Sequence, residues 1–193
     1  MDAYKEHPSW DDLAPHVSTE NLAAELLKRF GVDTDVPHME KTPARYVQMM
    51  TELTTPEQFE FTLFEATSDE MVVLSPIPFY TLCAHHVVPF YGKAHIGYVP
   101  GRAIAGLSKF GRLVKNLARG LWVQEELVAA IADGIEEELK PRGVAVILKG
   151  EHMCMSMRGV QMPGVVTSTQ TMRGVFADHT RTAKMEFLEA IRG

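Results

Sequence analysis

The chain contains two cysteines, and each of them stands close to histidine. Two residues separate Cys83 from His86 in a Cys-Ala-His-His stretch, and Cys154 follows His152 by two positions. Two thiolates and one imidazole form a ligand set that suits Zn2+. Three protein ligands instead of four would leave one coordination position open for water, as a catalytic zinc site requires.

Two simpler interpretations compete with a metal site. The cysteines could form a disulfide bond, or both could be unreactive residues of the core. A Cys-x-x-His spacing taken alone is only a weak signal for metal. The coincidence of both cysteines with three of the eight histidines favours the metal site.

Residues 144–158 are predicted to form one long strand. Alternate residues of a strand point to the same face. One face would then carry four polar or metal-binding side chains, namely His152, Cys154, Ser156 and Arg158. A face of this kind lines either solvent or a site, and a cysteine fits a solvated face less well than a serine does.

Two predicted helices begin with residues that could bind a nucleotide. Ser108 and Lys109 begin one helix, and Arg112 follows one turn later. Free N–H groups and a partial positive charge allow helix starts to hold phosphates, although a solvated basic face is the simpler alternative. Gln124 and Glu125 begin the other helix. A carboxylate can accept two parallel hydrogen bonds from a guanine edge, but an acid in a first helical turn is also favourable through the helix dipole alone.

Hydrophobic periodicity assigns the other elements. Helices are predicted over 18–30, 42–54, 107–118, 123–139 and 181–192. Strands are predicted over 59–63, 71–74 and 93–99, followed by the pair 144–158 and 165–176. Hairpin connections imply antiparallel pairing, so the fold class is α+β and not a βαβ alternation. Edge-to-edge assembly into a larger barrel would bury the exposed sheet edges of a monomer.

Composition limits the classes of function. The chain has 193 residues, of which 46% are hydrophobic and 23% charged, as in an ordinary globular protein. We expect an N-terminal arm with helices over 1–55 and a larger domain over 56–193. The net charge of -6 argues against general nucleic-acid binding, and no apolar run approaches the ~20 residues of a membrane span. Two cysteines without a signal peptide fit a reducing cytoplasm.

Five segments together resemble the GTP cyclohydrolase I family in their order and spacing. They cover residues 41–45, 83–86, 106–109, 123–125 and 152–159, and the likeness extends from about residue 41 to the C-terminus. The resemblance implies the tunnelling fold, in which ββααββ subunits join into a barrel, with N-terminal helices and a C-terminal helix added to that core. It also implies a homodecamer of two stacked rings with active sites at the subunit interfaces.

The resemblance also implies roles for individual residues. Cys83, His86 and Cys154 would bind zinc, whereas His85 and His152 would move protons. Gln124 and Glu125 would hold the guanine of GTP. The ribose and triphosphate would be surrounded by Ser108, Lys109, Arg112, Arg158 and, from a neighbouring subunit, Arg45.

The implied reaction converts GTP and water to 7,8-dihydroneopterin triphosphate and formate, the first step towards pterins and folate or deazaguanines. One alternative is a related tunnelling-fold nitrile reductase, which uses a nucleophilic cysteine and NADPH without zinc. Another is a zinc-stabilised scaffold without turnover that binds a regulatory partner. The chain departs from the family pattern at Ala84, where glutamate is usual, and at Gly120 and Glu126, where arginine is usual. These departures concern regulation and pathway, since none is a proposed ligand or proton carrier.

Overall fold

The computed structural model of the protein describes residues 17–177 and 182–192. These residues fall into two compact units that divide after Leu53. The smaller unit contains α1 (Thr19–Arg29) and all of α2 (Thr42–Thr54) except its last residue. The predicted N-terminal arm lies outside the described residues.

Local signals explain both ends of α1. The Ser18 hydroxyl accepts the N–H of Asn21 at 3.2 Å, and Gly31 follows the helix with a φ of +79°. A serine N-cap and a glycine in the left-handed region are the start and stop signals that the sequence offers. The predictions of helices over 18–30 and 42–54 are therefore confirmed.

The larger unit is built on one five-stranded sheet. Its strands are β2 (Val72–Cys83), β3 (Pro89–Val99), β5 (Leu121–Trp122), β6 (Gly143–His152) and β7 (Val166–Gly174). Their order across the sheet is β5-β2-β3-β6-β7, and all neighbours are antiparallel except β2 and β5. The short strands β1 (Leu63–Glu65) and β4 (Ala103–Ala105) form a separate antiparallel pair.

Helices complete the predicted element order. α3 (Leu107–Leu117) and α4 (Gln124–Leu139) stand between the two long hairpins, and the short α5 (Met153–Ser156) and then α6 (Thr182–Ala190) follow β6 and β7. Without the short elements, the order β2-β3-α3-α4-β6-β7 is the expected ββααββ. The α+β class with an antiparallel sheet is confirmed.

Each face of the sheet packs against helix. On one face, α3 and α4 bury apolar side chains against the strands, among them Phe110, Val114, Leu127, Ile131 and Ile135. The other face carries a smaller cluster in which Phe187 and Ile191 join Val99, Ala145 and Ile147. A Cβ on Gly97 would lie 2.6 Å from the Phe187 ring, so α6 approaches the sheet over a glycine.

Two strand predictions need correction. The strand predicted over 71–74 does not stop at its prolines but continues through Pro76 and Pro78 to Cys83. β5 pairs only with the last two residues of β2, so the prolines lie on a sheet edge, where a missing N–H is tolerated. The strand predicted over 59–63 is wrong except at its end, because Phe59 and Phe61 pack on the core without a strand partner.

Candidate metal centre

Cys83 and His86 are brought together by a tight turn at the end of β2. Cys83 is the last residue of that strand. Its N–H donates to the Val88 carbonyl and its carbonyl accepts the N–H of Val87, both at 2.9 Å, which closes the turn. Cys83 Sγ then lies 3.7 Å from His86 Nδ1. Cys83 is buried in the main core cluster and His86 is exposed, so the pair lies where the core meets the surface.

Cys154 reaches the same place by a different route from the predicted one. β6 ends at His152 instead of running to residue 158, and residues 153–156 form α5. The strand stops because its ladders end, with His152 the last residue paired to β3 and Glu151 the last paired to β7. The Ser156 hydroxyl oxygen then lies 3.1 Å from the His152 carbonyl oxygen, back across α5. The prediction that His152, Cys154, Ser156 and Arg158 share one strand face is therefore wrong.

The three ligand atoms of Cys83, His86 and Cys154 nevertheless all lie within 4.8 Å of one another. Ligands about 2.0–2.3 Å from one tetrahedral Zn2+ are about 3.3–3.8 Å apart, so small side-chain adjustments would suffice for binding. Both cysteines are free thiols. Two sulfur atoms and one imidazole nitrogen are donors that zinc accepts. The cluster therefore fits a zinc ion in both its geometry and its chemistry.

The electrostatics of the cluster favours protonated thiols when no cation is bound. Burial raises the pKa of the Cys154 thiol, the nearby Cys83 thiol raises that pKa further, and Arg158 lowers it slightly. Two adjacent thiols disfavour losing both protons without a compensating cation. A bound divalent ion supplies that charge, because thiolates are the form that ligates.

His152 is the last residue of β6 and precedes Cys154 of the cluster by two positions. Its ring stacks on Phe90 with centroids 4.4 Å apart and an angle of 8° between the planes. Its Nε2 lies 2.9 Å from Gln124 Oε1. Burial lowers the pKa of His152, and the charge of Glu125 opposes that shift. His152 is thus a half-buried imidazole with a fixed ring plane.

The other predicted proton carrier and the guanine residues lie at two nearby turns. His85 is exposed in the turn after β2, with its ring centroid 6.2 Å from that of His86. Glu125 is exposed in the first turn of α4. Gln124 differs from both, because it is 1% exposed and its amide bonds to the sheet.

The predicted phosphate residues occupy two separate elements of the larger unit. Ser108, Lys109 and Arg112 lie in the first turns of α3, whose N-cap Gly106 makes no side-chain cap bond. Lys109 Nζ donates to the Glu60 carbonyl at 2.7 Å, and Arg112 lines a cleft of about 220 Å3. Arg158 is exposed beyond α5.

Arg45 is exposed on α2 and belongs to the smaller unit. Arg45 was predicted to contact the triphosphate from a neighbouring subunit, so its role stays a prediction.

Sequence reasoning missed two residues that hold this region together. Phe90 is directly opposite His152 in the β3–β6 register, which fixes the ring stack. Glu151 Oε1 accepts the Ser156 hydroxyl at 2.9 Å and the Gly164 N–H at 3.0 Å, joining both ends of the segment after β6. These bonds, the Gly164 bond most, hold the pKa of Glu151 below its usual range. The only signal in the sequence was a carboxylate next to His152.

None of the helices in the described part of the chain is both long and apolar enough to cross a membrane.

Comparison with known proteins identifies relatives of nearly the same extent. A GTP cyclohydrolase 1 of Deinococcus radiodurans is 43% identical over 182 residues, which cover 90% of this chain and 83% of the relative. Those of a Hydrogenobaculum species and of Aquifex aeolicus are 45% and 44% identical, and each match covers 92% of the relative and 86% or 87% of this chain.

Among solved structures, the archaeosine synthase QueF-Like in its apo form matches 56% of this chain and 97% of its own, with a TM-score of 0.47 and 19% identity. The model of the GTP cyclohydrolase I family matches residues 19–192. The chain belongs to the GTP cyclohydrolase I family.

Proposed function

We propose that this protein is a zinc-dependent GTP cyclohydrolase, which converts GTP and water to 7,8-dihydroneopterin triphosphate and formate. Family membership over residues 19–192 supports the activity. The observation that carries the proposal is the cluster of Cys83, His86 and Cys154 beside His152. A reductase with a nucleophilic cysteine has no need for a second thiol and an imidazole within ligand distance.

The ligands of the metal would be Cys83, His86 and Cys154. Zinc bound there would supply Lewis acidity and an activated water for hydrolysis of the guanine imidazole ring. Cys83 and His86 are held by the turn after β2 and Cys154 by α5, so two separate segments of one chain supply the three ligands.

Proton transfer would be the task of His152 and His85. We assign protonation of guanine N7 to His152, since that proton makes C8 electrophilic. The stacked Phe90 ring keeps the imidazole of His152 in one plane. His85, next to the ligand His86, would serve the later ring-opening and closing steps, which need general acids and bases.

Recognition of the substrate would begin at the start of α4. The Glu125 carboxylate is exposed there and can accept the N1–H and the exocyclic NH2 of guanine in parallel. Gln124, its neighbour, is also expected at the guanine end, although its amide is already bonded within the sheet.

The triphosphate would lie on a basic surface. Ser108, Lys109, Arg112 and Arg158 would provide it within one subunit, and Arg45 of a neighbouring subunit would complete it. An assembly with interface sites, which we propose to be a homodecamer, follows from the same assignment. We place the enzyme in the cytoplasm, where two free thiols stay reduced, and retain a catalytic domain over 56–193.

Zinc content together with formate release from GTP tests the proposal. The wild-type protein is expected to hold one zinc per chain and to release formate. Cys83→Ser, His86→Ala and Cys154→Ser are each expected to lose both. Tyr80→Phe is the matched control, because Tyr80 is an exposed residue of β2 outside the cluster. Full zinc occupancy in all three ligand variants would refute the metal assignment, and zinc-loaded wild type without formate release would refute the activity.

A further inference from the structure

The side-chain amide of Gln124 is fixed in one orientation inside the sheet. Its Nε2 lies 3.2 Å from the Leu148 carbonyl oxygen, 3.1 Å from the Thr167 carbonyl oxygen and 3.0 Å from Thr169 Oγ1. Carbonyl oxygens only accept hydrogen bonds, so the NH2 end of the amide must face them. The oxygen Oε1 is therefore the end that faces His152.

This orientation decides which nitrogen of His152 carries a hydrogen. His152 Nε2 lies 2.9 Å from Gln124 Oε1. An amide oxygen is only an acceptor, so Nε2 must donate to it. In a neutral imidazole the other nitrogen, Nδ1, then has no hydrogen and is free to accept one. No group in residues 17–177 or 182–192 forms a hydrogen bond with this Nδ1.

Two neighbours reinforce the arrangement. Phe90 lies across the strand pair from His152 and holds its ring plane by stacking. Gly150 leaves the space that the amide needs, because a Cβ there would lie 2.8 Å from Gln124 Oε1. A methyl group at residue 150 would have to displace the oxygen that His152 bonds.

We propose that Gln124 is a positioning residue, which holds His152 in the Nε2–H tautomer so that the proton exchanged with substrate resides on Nδ1. The exchange of this proton with GTP rests on the proposed function, whereas the tautomer of His152 does not. The side chain of Gln124 then works through His152, and the guanine edge is left to Glu125. The partner of one histidine nitrogen commonly sets the role of the other in this way.

Ring-15N spectra of the zinc-loaded protein, labelled at histidine, test the tautomer directly. The signals of His152 are identified by their loss in His152→Ala. Wild type is expected to show a protonated Nε2 and an unprotonated Nδ1, and Gln124→Met a mixture of tautomers. Gly150→Ala should shift the signals towards that mixture. Thr169→Val is the matched control, because it removes one acceptor of the amide and leaves the two carbonyls, so its spectrum should resemble wild type.

Kinetics separates this role from a direct contact with guanine. Gln124→Met is expected to lower kcat about 10- to 100-fold with KM within about twofold, the loss of one buried hydrogen bond to a group that becomes charged. In a His152→Ala background the same change should have little further effect.

Other results would overturn the proposal. Weaker binding of a non-hydrolysable GTP analogue by Gln124→Met, with kcat unchanged, would mean that Gln124 contacts the base. Full additivity with His152→Ala, or an unchanged tautomer in Gln124→Met, would mean a structural role only. Absence of formate release from the wild type would refute the proposed function and leave the spectroscopic result standing.

Discussion

Adjacent residues at the start of α4 have opposite surroundings. Gln124 is buried and makes its hydrogen bonds with β6, β7 and His152, whereas Glu125 is exposed. Successive residues of a helix are rotated by about 100°, which is enough to bury one side chain against the sheet and to leave the other in solvent. The proposed division of work between positioning and guanine binding follows from that step.

Glu125→Gln tests the guanine contact. The change would turn one acceptor oxygen into a donor that faces a donor of the base, and it would remove a charge-assisted hydrogen bond. GTP turnover is expected to fall on the order of 30- to 1000-fold. Zinc content should stay at the wild-type level, because Glu125 is not a proposed ligand. Glu126→Gln, one residue further along the exposed helix start, is the matched control. Binding of a GTP analogue as tight as in wild type would show that Glu125 is only a helix-start residue.

His95 is a buried histidine outside the candidate site. It is 7% exposed on β3, its Nδ1 lies 2.6 Å from Ser75 Oγ, and its Nε2 has no partner among the described residues. Burial, and then the charge of Lys149, lower the pKa of His95. Protonation would place a charged ring with an unpaired N–H in the interior.

Acidification should therefore destabilise the protein through His95. Because its folded pKa lies below the unfolded value of about 6.5, the unfolded state binds more protons as the pH falls through that value. We expect the free energy of unfolding to fall between pH 7.5 and pH 5.5, and to fall less in His95→Gln. Urea titrations at both pH values measure this difference. The zinc ligands and His152 are present in both proteins, so their contributions to the pH dependence cancel in the comparison. Equal losses in the two proteins would contradict the assignment.

At the scale of elements, the sheet has one helix pair on one face and a single helix on the other. α6 contributes Phe187, which packs with Phe176 at a centroid distance of 6.0 Å. The contact depends on Gly97, since every other residue has a Cβ where the Phe187 ring lies. The absence of a side chain at Gly97 thus allows α6 to pack closely on β3.

Gly97→Ala should move α6 away from the sheet. Overpacking of a well-packed cluster typically costs about 1–3 kcal/mol, and we expect that loss in the free energy of unfolding. Gly111→Ala is the control with the same chemistry, because a Cβ at this position of α3 meets no atom within 4 Å. It should be neutral or add up to about 1 kcal/mol through helix propensity. Denaturant unfolding of both variants measures this, and equal stabilities would show that the Phe187 ring adjusts freely.

At the scale of the whole molecule, the five-stranded sheet is open. β5 and β7 are its edge strands, and β7 carries the exposed Val166 at its start. The segment that precedes β7 also carries exposed apolar side chains, at Met157, Val160 and Met162. Open edges with apolar residues favour pairing with another chain.

Assembly is therefore expected in solution. Sedimentation velocity should give a large oligomer, which we propose to be a homodecamer, whose mass stays constant on dilution through the micromolar range. Val166→Glu should shift the distribution towards smaller species, because it replaces an exposed apolar side chain at the β7 edge with a charge. Ser168→Glu places the same charge on the same exposed edge at a position that is already polar, and it serves as the comparison. A stable monomer with full activity would contradict both the assembly and the interface sites.

The sequence by itself determined the class of the fold and the chemistry of the cluster. Periodicity was enough for α1, α2, α4 and the hairpin order, because in these elements local propensity and burial agree. Cysteine and histidine types restricted the metal to one that accepts sulfur and nitrogen. The placement of Arg45 and the boundary at residue 55 stay predictions.

Only the tertiary structure decided where strands end and which polar groups meet. β6 stops at His152 because its partner strands end there, and that information is absent from the local sequence. The bonds from Gln124 to Leu148, Thr167 and His152 join residues that are 24 to 43 positions apart. A glutamine in a first helical turn looks like any polar helix start, and packing under the sheet gives it one orientation and a partner.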